Sequence, residues 1–334
     1  MRFFIDEIQY SKESGKHLKY IYDNYKVKLI ISGSSATEVS LQSLKYLVGR
    51  VFIFTLYPFS FDEYLRATDE SLERLYLNGK FGEEIKKELN NNLWKYSIWG
   101  GYPRVVLSKS DEERQLVLEN IYSTYVMKDV KPLFGLKDDY KWLKLLKALS
   151  LQLGNLINYN ELATISELDY YLVKQYLNIL KKSYICEEVS PFFTNKRLEL
   201  VKATKIYFCD SGLRNSIINN FSYERGDMGA LLENFVFSEM VKRGYHPKYW
   251  RSKSGAEVDF IFERNKELLP TEVKTTATNV VPKSTLSFIK KYSPKNFLIL
   301  SQNLESKRRI ENTNVIFLPL VKFYSREKSI ARKK

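Results

Sequence analysis

The chain has 334 residues, of which 28% are charged, and its formal net charge is +14. It contains no uninterrupted apolar run of about 18 residues and no signal-peptide pattern, which excludes a membrane-spanning helix and predicts a soluble cytoplasmic protein. Cys186 and Cys209 lie in apolar segments without CxxC spacing. This pattern argues against a zinc site or a disulfide framework and predicts buried free thiols.

The first predicted element is a short apolar strand, Arg2 to Gln9, which contains Asp6 and Glu7. This is the pattern of a Walker B strand, in which the Asp binds Mg²⁺ through water and the Glu polarises the attacking water. After a helix-like stretch, K-H-L-K-Y-I-Y-D-N-Y, comes a second apolar strand, V-K-L-I-I-S-G-S-S-A. Its end would place Ser34 or Ser35 near a nucleotide γ-phosphate.

Four segments of the N-terminal region, D-E-I-Q, I-S-G-S-S, G-R and L-Y-P-F-S-F-D-E-Y-L, resemble a family of AAA+-like ATPases abundant in archaea and bacteria. The resemblance implies that residues 1–67 belong to a parallel sheet with helices on both faces. It also implies a nucleotide-sensing role for Arg50. Within the family, residues 68–134, with the segment W-G-G-Y-P-R-V-V, resemble a helical lid and connector.

Such an ATPase needs a GxxxxGK[ST] loop before its D-E strand, because this loop cradles the phosphates. Only five residues precede Asp6, so we expect the first half of the ATPase sheet to be missing through a misplaced start codon, a split gene or true loss. ATP is therefore a doubtful cofactor, and we do not expect this chain to hydrolyse ATP alone. A partial parallel sheet exposes apolar edges, which predicts a protein partner or self-association.

Residues 135–219 are predicted to form three helices followed by a β-hairpin, the order of a winged helix-turn-helix. The exposed face of the third helix would carry Tyr170, Tyr171, Lys174, Gln175, Asn178 and Lys181. The wing would carry Lys196, Arg197 and Lys202. Such a unit either contacts DNA or packs between domains, and both alternatives stay open. Trp94, Trp99 and Tyr102, in the preceding helices, are predicted to serve packing rather than base stacking.

Residues 220–334 hold the most demanding pattern in the chain. Val258, Phe260 and Phe262 alternate with charged or apolar neighbours, so a strand here turns Asp259 to the opposite face. Glu272 and Lys274 are two residues apart in the next apolar run and share a face of a second strand. Upstream, Glu233 lies beside the apolar stripe of an amphipathic helix. If the strands pair as a hairpin, the charged side chains converge.

Helix Glu, strand Asp and E-x-K, in this order, resemble the PD-(D/E)xK, or restriction-endonuclease-like, nuclease superfamily. The resemblance implies that Glu233, Asp259, Glu272 and Lys274 form a catalytic site. It further implies that Glu233, Asp259 and Glu272 hold Mg²⁺ or Mn²⁺ beside a scissile phosphate. Val258 stands where the family pattern has proline. The following helix, S-T-L-S-F-I-K-K-Y-S, and the strands N-F-L-I-L-S and N-V-I-F-L-P-L-V-K-F-Y are predicted to close a small α/β sheet. The fold class is thus a multidomain α/β protein: a partial AAA+ sheet, a helical lid, a winged helix and a nuclease-like domain.

The region from Lys283 to Lys334 contains 13 Lys and Arg against 3 Asp and Glu, a net charge of +10. Next to a candidate site for phosphodiester cleavage, this basic surface predicts binding of nucleic acid, specifically DNA, and no association with a membrane. Three functions compete: a Mg²⁺-dependent DNA endonuclease, a noncatalytic or split AAA+-like ATPase, and a winged-helix module that binds DNA or protein.

Overall fold

The computed structural model describes residues 2–8, 11, 13–33, 46–130, 139–264, 267–276 and 278–323. They form a mixed α/β protein with one six-stranded sheet, two two-stranded sheets and many helices. None of the helices in these ranges combines the length and the apolar character that crossing a bilayer requires. Cys186 and Cys209 are buried free thiols, which confirms their prediction.

The N-terminal half contains, in chain order, β1 (Arg2–Ile5), α1 (Ser14–Asn24), β2 (Lys28–Ile31), α2 (Phe61–Thr68), α3 (Glu70–Asn78), α4 (Glu83–Trp99), α5 (Pro103–Val106), α6 (Asp111–Ile121), a π-helical continuation (Tyr122–Val130), α7 (Asp139–Leu151), α8 (Tyr159–Ser166) and α9 (Tyr170–Lys182). The C-terminal half contains β3 (Cys186–Val189), α10 (Lys196–Val201), β4 (Lys205–Phe208), α11 (Ser211–Ile217), α12 (Met228–Lys242), β5 (Lys248–Arg251), β6 (Glu257–Arg264), β7 (Glu267–Val273), α13 (Lys283–Tyr292), β8 (Asn296–Ser301), β9 (Ser306–Ile310) and β10 (Thr313–Pro319).

The predicted N-terminal strands form the parallel pair β1–β2, with Arg2 opposite Lys28 and Ile5 opposite Ile31. Helix α1 connects them, and its Leu18 packs with Ile8 and Leu47 in a small core. The segment Val51–Leu56 is mostly apolar and belongs to none of the described helices or strands. Phe52 and Leu56 expose 90% and 99% of their surface. An apolar run this exposed is a candidate contact surface.

Helices α7, α8 and α9 precede the antiparallel pair β3–β4, in the predicted order. The predicted hairpin differs at its tip, because helix α10 occupies Lys196–Val201 between the two strands. Lys196, Arg197 and Lys202 are exposed at this tip, as are Tyr171, Lys174, Gln175 and Asn178 on α9. Lys181 is only partly exposed, because its Nζ lies 2.8 Å from Glu188 Oε2.

The six-stranded sheet has the order β5-β6-β7-β8-β10-β9. Strands β7, β8 and β10 run parallel, and β5, β6 and β9 join them in antiparallel pairs. Sequence patterns predict the four inner strands and α13, whereas β5 and β9 are short edge strands that the sequence analysis did not predict. The edge strand β9 carries Lys307, Arg308 and Arg309, and charged residues on an edge oppose unwanted strand pairing.

The two faces of this sheet pack against different helices. Phe260, Phe262 and Val273 join a large core with α12 and the preceding helices. Val258 and Ile261 pack with Phe288 of α13 on the other side. The prediction that Val258 shares a face with Phe260 and Phe262 is therefore wrong. The β5–β6 register shifts by one residue between the Lys248–Ile261 and Trp250–Val258 pairs, and such a bulge reverses the alternation locally.

Trp94 and Tyr102 pack against the large core, and Trp99 is buried in a smaller cluster with Val105 and Leu118. The ring of Trp99 stacks on Phe221 with centroids 4.7 Å apart. This confirms the packing role predicted for the aromatic residues of the connector.

Candidate active site

Asp259 and Glu272 come together where β6 begins and β7 ends. Phe260 pairs with Thr271, and this antiparallel register brings Asp259 beside Glu272 and Val273. Asp259 Oδ2 accepts a hydrogen bond of 2.7 Å from the backbone N–H of Val273. Both carboxylates are buried, Glu272 completely. The one-residue bulge of β6 lies at this point, and bulges commonly redirect side chains next to functional sites.

Glu272 is held on one side by helix α13. Its Oε1 accepts hydrogen bonds from Ser284 Oγ at 2.6 Å and Thr285 Oγ1 at 2.9 Å. Its Oε2 makes no hydrogen bond of normal geometry, although Lys274 Nζ lies only 3.0 Å away. This contact is an ion pair, because an ammonium group rotates freely and its attraction to a carboxylate needs no fixed angle. One carboxylate oxygen is thus positioned and the other faces a cation.

Glu233 lies on α12 and approaches the same site from the helix side of the sheet. Its Oε2 accepts a hydrogen bond of 3.1 Å from Tyr207 Oη, and Lys205 Nζ lies 4.0 Å from the same oxygen. A Cβ atom on Gly154 would come within 3.0 Å of this oxygen, so the turn after α7 leaves little room beside it. Glu233 is therefore confined by β4 and by this turn.

Lys205 is the site residue that sequence reasoning missed. It is the first residue of β4, exposes only 2% of its surface, and places Nζ 2.5 Å from Glu257 Oε1. The segment around it was predicted only as part of the β-hairpin that ends residues 135–219. The one available signal was a lysine beginning an apolar strand, K-I-Y-F, where a buried charge needs a partner.

Burial and the charges of neighbouring side chains shift the pKa values of Glu233, Asp259 and Lys274. Burial, and then the charge of Asp259, raise the pKa of Glu233 above its usual range. Burial also raises the pKa of Asp259, against the opposing effects of Lys205 and Lys274. Burial alone would lower the pKa of Lys274, but Glu272 and Asp259 outweigh it and raise that pKa. The lysine stays charged, and the carboxylates would gain from a further cation.

The donor atoms fit a divalent ion held by two carboxylates. Mg²⁺ commonly takes one or two carboxylates and completes its shell with water and phosphate oxygens. Asp259 and Glu272 supply such a pair, and both carboxylates are buried. Among the described residues, however, no three His, Cys, Asp or Glu side chains converge closely enough to bind one metal. The predicted ligand set of Glu233, Asp259 and Glu272 is therefore not assembled as a triad.

The predicted nucleotide-site residues lie near the ends of β1 and β2. Asp6 and Glu7 directly follow β1, and the Ser32 hydroxyl donates a hydrogen bond to Asp6 Oδ1. The Arg50 guanidinium lies 2.9 Å from Asp23 Oδ1, so it is held by an ion pair on α1. Ser34 and Ser35 lie outside the described residues.

Comparison with protein-family models divides the chain into three matches. Residues 1–65 match an AAA domain. Residues 90–224 and 228–323 match two domains of unknown function, DUF8612 and DUF4143. These matches support an AAA-like ATPase family. The DUF4143 match contains Glu233, Asp259, Glu272 and Lys274, whereas Lys205 falls within the DUF8612 match.

Proteins similar to this chain occur in bacteria and archaea. An uncharacterized protein of Haemophilus influenzae is 24% identical over 276 residues, which cover 81% of this chain and 65% of that protein. Protein MJ1544 of Methanocaldococcus jannaschii is 24% identical over 286 residues, covering 83% and 62%. Protein Rv2008c of Mycobacterium tuberculosis is 22% identical over 288 residues, covering 84% and 60%. The chain thus spans less than two-thirds of the length of these relatives.

Proposed function

We propose that the C-terminal unit, residues 220–334, is a Mg²⁺- or Mn²⁺-dependent DNA endonuclease attached to an AAA-like region. One observation carries this proposal. Two buried carboxylates on neighbouring strands, Asp259 and Glu272, lie beside an ammonium group whose nitrogen is 3.0 Å from Glu272. Carboxylate pairs with a nearby lysine suit phosphodiester hydrolysis, in which negative charge develops on the phosphate.

Each side chain has a role in this proposal. A divalent ion at Asp259 and Glu272 would polarise the phosphate and lower the pKa of an attacking water. Lys274 is charged and would stabilise the developing negative charge. Ser284 and Thr285 hold Glu272 in place, so little ordering would be needed when substrate binds.

The surface charge supports a nucleic-acid substrate. Basic side chains are exposed at the tip of the β3–β4 unit and on the edge strand β9: Lys196, Arg197, Lys202, Lys307, Arg308 and Arg309. Such residues neutralise phosphates without reading sequence, so binding should weaken steeply as salt increases. We propose that these surfaces hold DNA, with the exposed face of α9 as a further contact.

The test is cleavage of supercoiled, single-stranded and branched DNA by the full chain with Mg²⁺ or Mn²⁺. We expect Asp259→Asn and Lys274→Met to lower the cleavage rate at least about 100-fold, because each removes a group that acts on the reacting phosphate. Glu267→Gln on β7 and Lys87→Met on α4 are the controls, since both side chains are exposed and lie outside the basic region Lys283–Lys334. Both controls should cleave at the parental rate.

Cleavage that persists in both site variants would refute the assignment of the site. DNA binding without cleavage by the parent protein would instead favour a winged-helix binding module.

A second candidate function is protein association through the AAA-like region. The exposed apolar side chains of Val51–Leu56 favour it, because a monomeric protein rarely leaves such a run in water. In this alternative the AAA-like part binds a protein partner, or a second copy of the chain, rather than hydrolysing ATP alone.

A further inference from the structure

Lys205 is a buried lysine that has no role in the proposed hydrolysis. Its side chain exposes 3% of its surface, and Nζ contacts Glu257 Oε1 at 2.5 Å. Glu233 Oε2 lies 4.0 Å from Nζ on another side, and the ring centroid of Tyr249 lies 5.7 Å away. Burying an ammonium group is unfavourable unless carboxylates surround it. The carboxylates of the site supply that compensation.

Lys205 lies on β4, within residues 135–219, whereas the carboxylates of the candidate site lie within residues 220–334. Lys205 and Tyr207 are two residues apart on β4, so both side chains point to the same face, toward α12. Each of them approaches Glu233 Oε2. The unit of residues 135–219 therefore forms one side of the candidate site and contributes one hydrogen-bond donor, Tyr207, and one cation, Lys205, to Glu233.

The two lysines of the site neutralise half of the negative charge of its carboxylates. Four carboxylates lie there, Glu233, Glu257, Asp259 and Glu272, with the ammonium groups of Lys205 and Lys274 among them. With all groups ionised the net charge is −2, which one divalent ion neutralises. Arg251, 3.7 Å from Glu257, is at the exposed rim, where water screens its charge.

We infer that the ammonium group of Lys205 occupies a cation position in this cluster, between Glu233 and Glu257, and limits the site to one divalent ion on the Asp259–Glu272 side. The inference rests on the metal site of the proposed function. Lys205 is then a positioning residue that holds Glu233 and supplies a fixed charge where a second metal ion would otherwise bind. Glu233 is the partner of this lysine rather than a metal ligand.

The test is the number of Mn²⁺ ions that the metal-free full chain binds without DNA, measured by isothermal titration calorimetry and by Mn²⁺ electron paramagnetic resonance. We expect one ion for the parent and two for Lys205→Met, which changes the net charge of the cluster to −3. Lys205→Arg keeps the charge and should bind one. The double variant Lys205→Met with Glu257→Gln restores −2 and should also bind one.

Lys86→Met is the matched control, because Lys86 is also buried and lies 3.2 Å from Glu83 Oε1, outside the site. It should bind one ion, like the parent. A second ion bound by this variant as well would attribute the effect to general charge loss and overturn the inference. So would a Lys205→Met variant that binds one ion with the parental affinity.

The outcomes separate this inference from the nuclease proposal. One ion in both parent and Lys205→Met refutes the inference and leaves the nuclease site standing. Ion counts of one and two as expected, with no DNA cleavage by the parent, refute the nuclease activity and leave the inference standing. No ion in either refutes both. If Lys205→Met is unfolded without metal, Mn²⁺ should restore its native circular dichroism with two ions bound, and failure to do so overturns the inference.

Discussion

Asp227 shows at the residue scale how one side chain connects separate elements. Its carboxylate accepts hydrogen bonds from Arg214 Nη1 at 2.6 Å and from Arg225 Nε at 2.5 Å. Arg214 is fully buried on α11, and its Nε also donates to the Ser150 carbonyl at the end of α7. Burial alone would raise the pKa of Asp227, but the bonds from Arg225 and Arg214 lower it to about 2.

We expect Asp227→Asn to lower the free energy of unfolding by about 2 kcal/mol near neutral pH, because it leaves a buried guanidinium without its counter-charge. The folded pKa is below the unfolded value, so this stabilisation is present above about pH 4 and is lost as pH falls toward 2. Urea unfolding at about pH 7 and about pH 3 should show a smaller difference between parent and variant at the lower pH.

Asp111→Asn is the control, because Asp111 pairs with Arg114 on the surface of α6, where one ion pair contributes at most about 1 kcal/mol. An effect of Asp227→Asn no larger than that of the control would contradict the role assigned to Asp227.

At the element scale, the turn after α4, at Gly100 and Gly101, contacts the start of α11. This contact joins the helical connector to the C-terminal half. Asp210 begins α11, where its Oδ1 accepts from Leu213 N at 2.9 Å, and its Oδ2 accepts from Gly101 N at 2.7 Å. Gly212 lies so close to the connector that a Cβ atom would come within 2.0 Å of the Trp99 carbonyl oxygen. The close approach of the two backbones therefore accounts for glycine at position 212.

We expect Gly212→Ala to lower the free energy of unfolding by roughly 2 kcal/mol or more, because backbone must move to admit the methyl group. Gly226→Ala is the matched control, since a Cβ atom there meets nothing within 4 Å. Thermal or urea unfolding of both variants measures the difference. Equal stability of the two would show that the connector accommodates the methyl group without strain.

At the scale of the whole molecule, charge and apolar surface are unevenly distributed. The large core runs from Phe61 in α2 to Phe323 and unites the connector, the β3–β4 unit and one face of the six-stranded sheet. Ile8, Leu18 and Leu47, by contrast, form a separate small cluster in the AAA-like region. The exposed side chains of Val51–Leu56 lie in that region, so association is expected through the N-terminal part.

We expect the parent protein to self-associate as its concentration rises and the double variant Phe52→Glu with Phe54→Glu to be monomeric, because charge opposes burial of the apolar run. Size-exclusion chromatography with light scattering measures the mass of each. Leu116→Glu is the control, since Leu116 is an exposed apolar residue on α6, outside that run. A monomeric parent at every concentration would contradict self-association and leave a protein partner to be sought.

Local sequence patterns are sufficient to predict much of this protein. The alternation and spacing of apolar residues predict β6, β7, β8 and α13, because these periods reflect which face of each element is buried. The order of Glu233, Asp259, Glu272 and Lys274 predicts a charged cluster, and the structure brings Asp259, Glu272 and Lys274 together. Short edge strands such as β5 and β9 carry too few residues for a period to be recognised.

Only the tertiary structure decided which groups complete that cluster. Lys205 and Tyr207 reach Glu233 from a strand 26 or more residues away in the chain, and no local pattern encodes such a contact. The bulge in β6 depends on pairing with β5, so strict alternation placed Val258 on the wrong face. The sequence by itself therefore determined which residues bear charge within apolar strands. Packing between distant elements decided their partners, because burial and pairing are properties of the assembled fold.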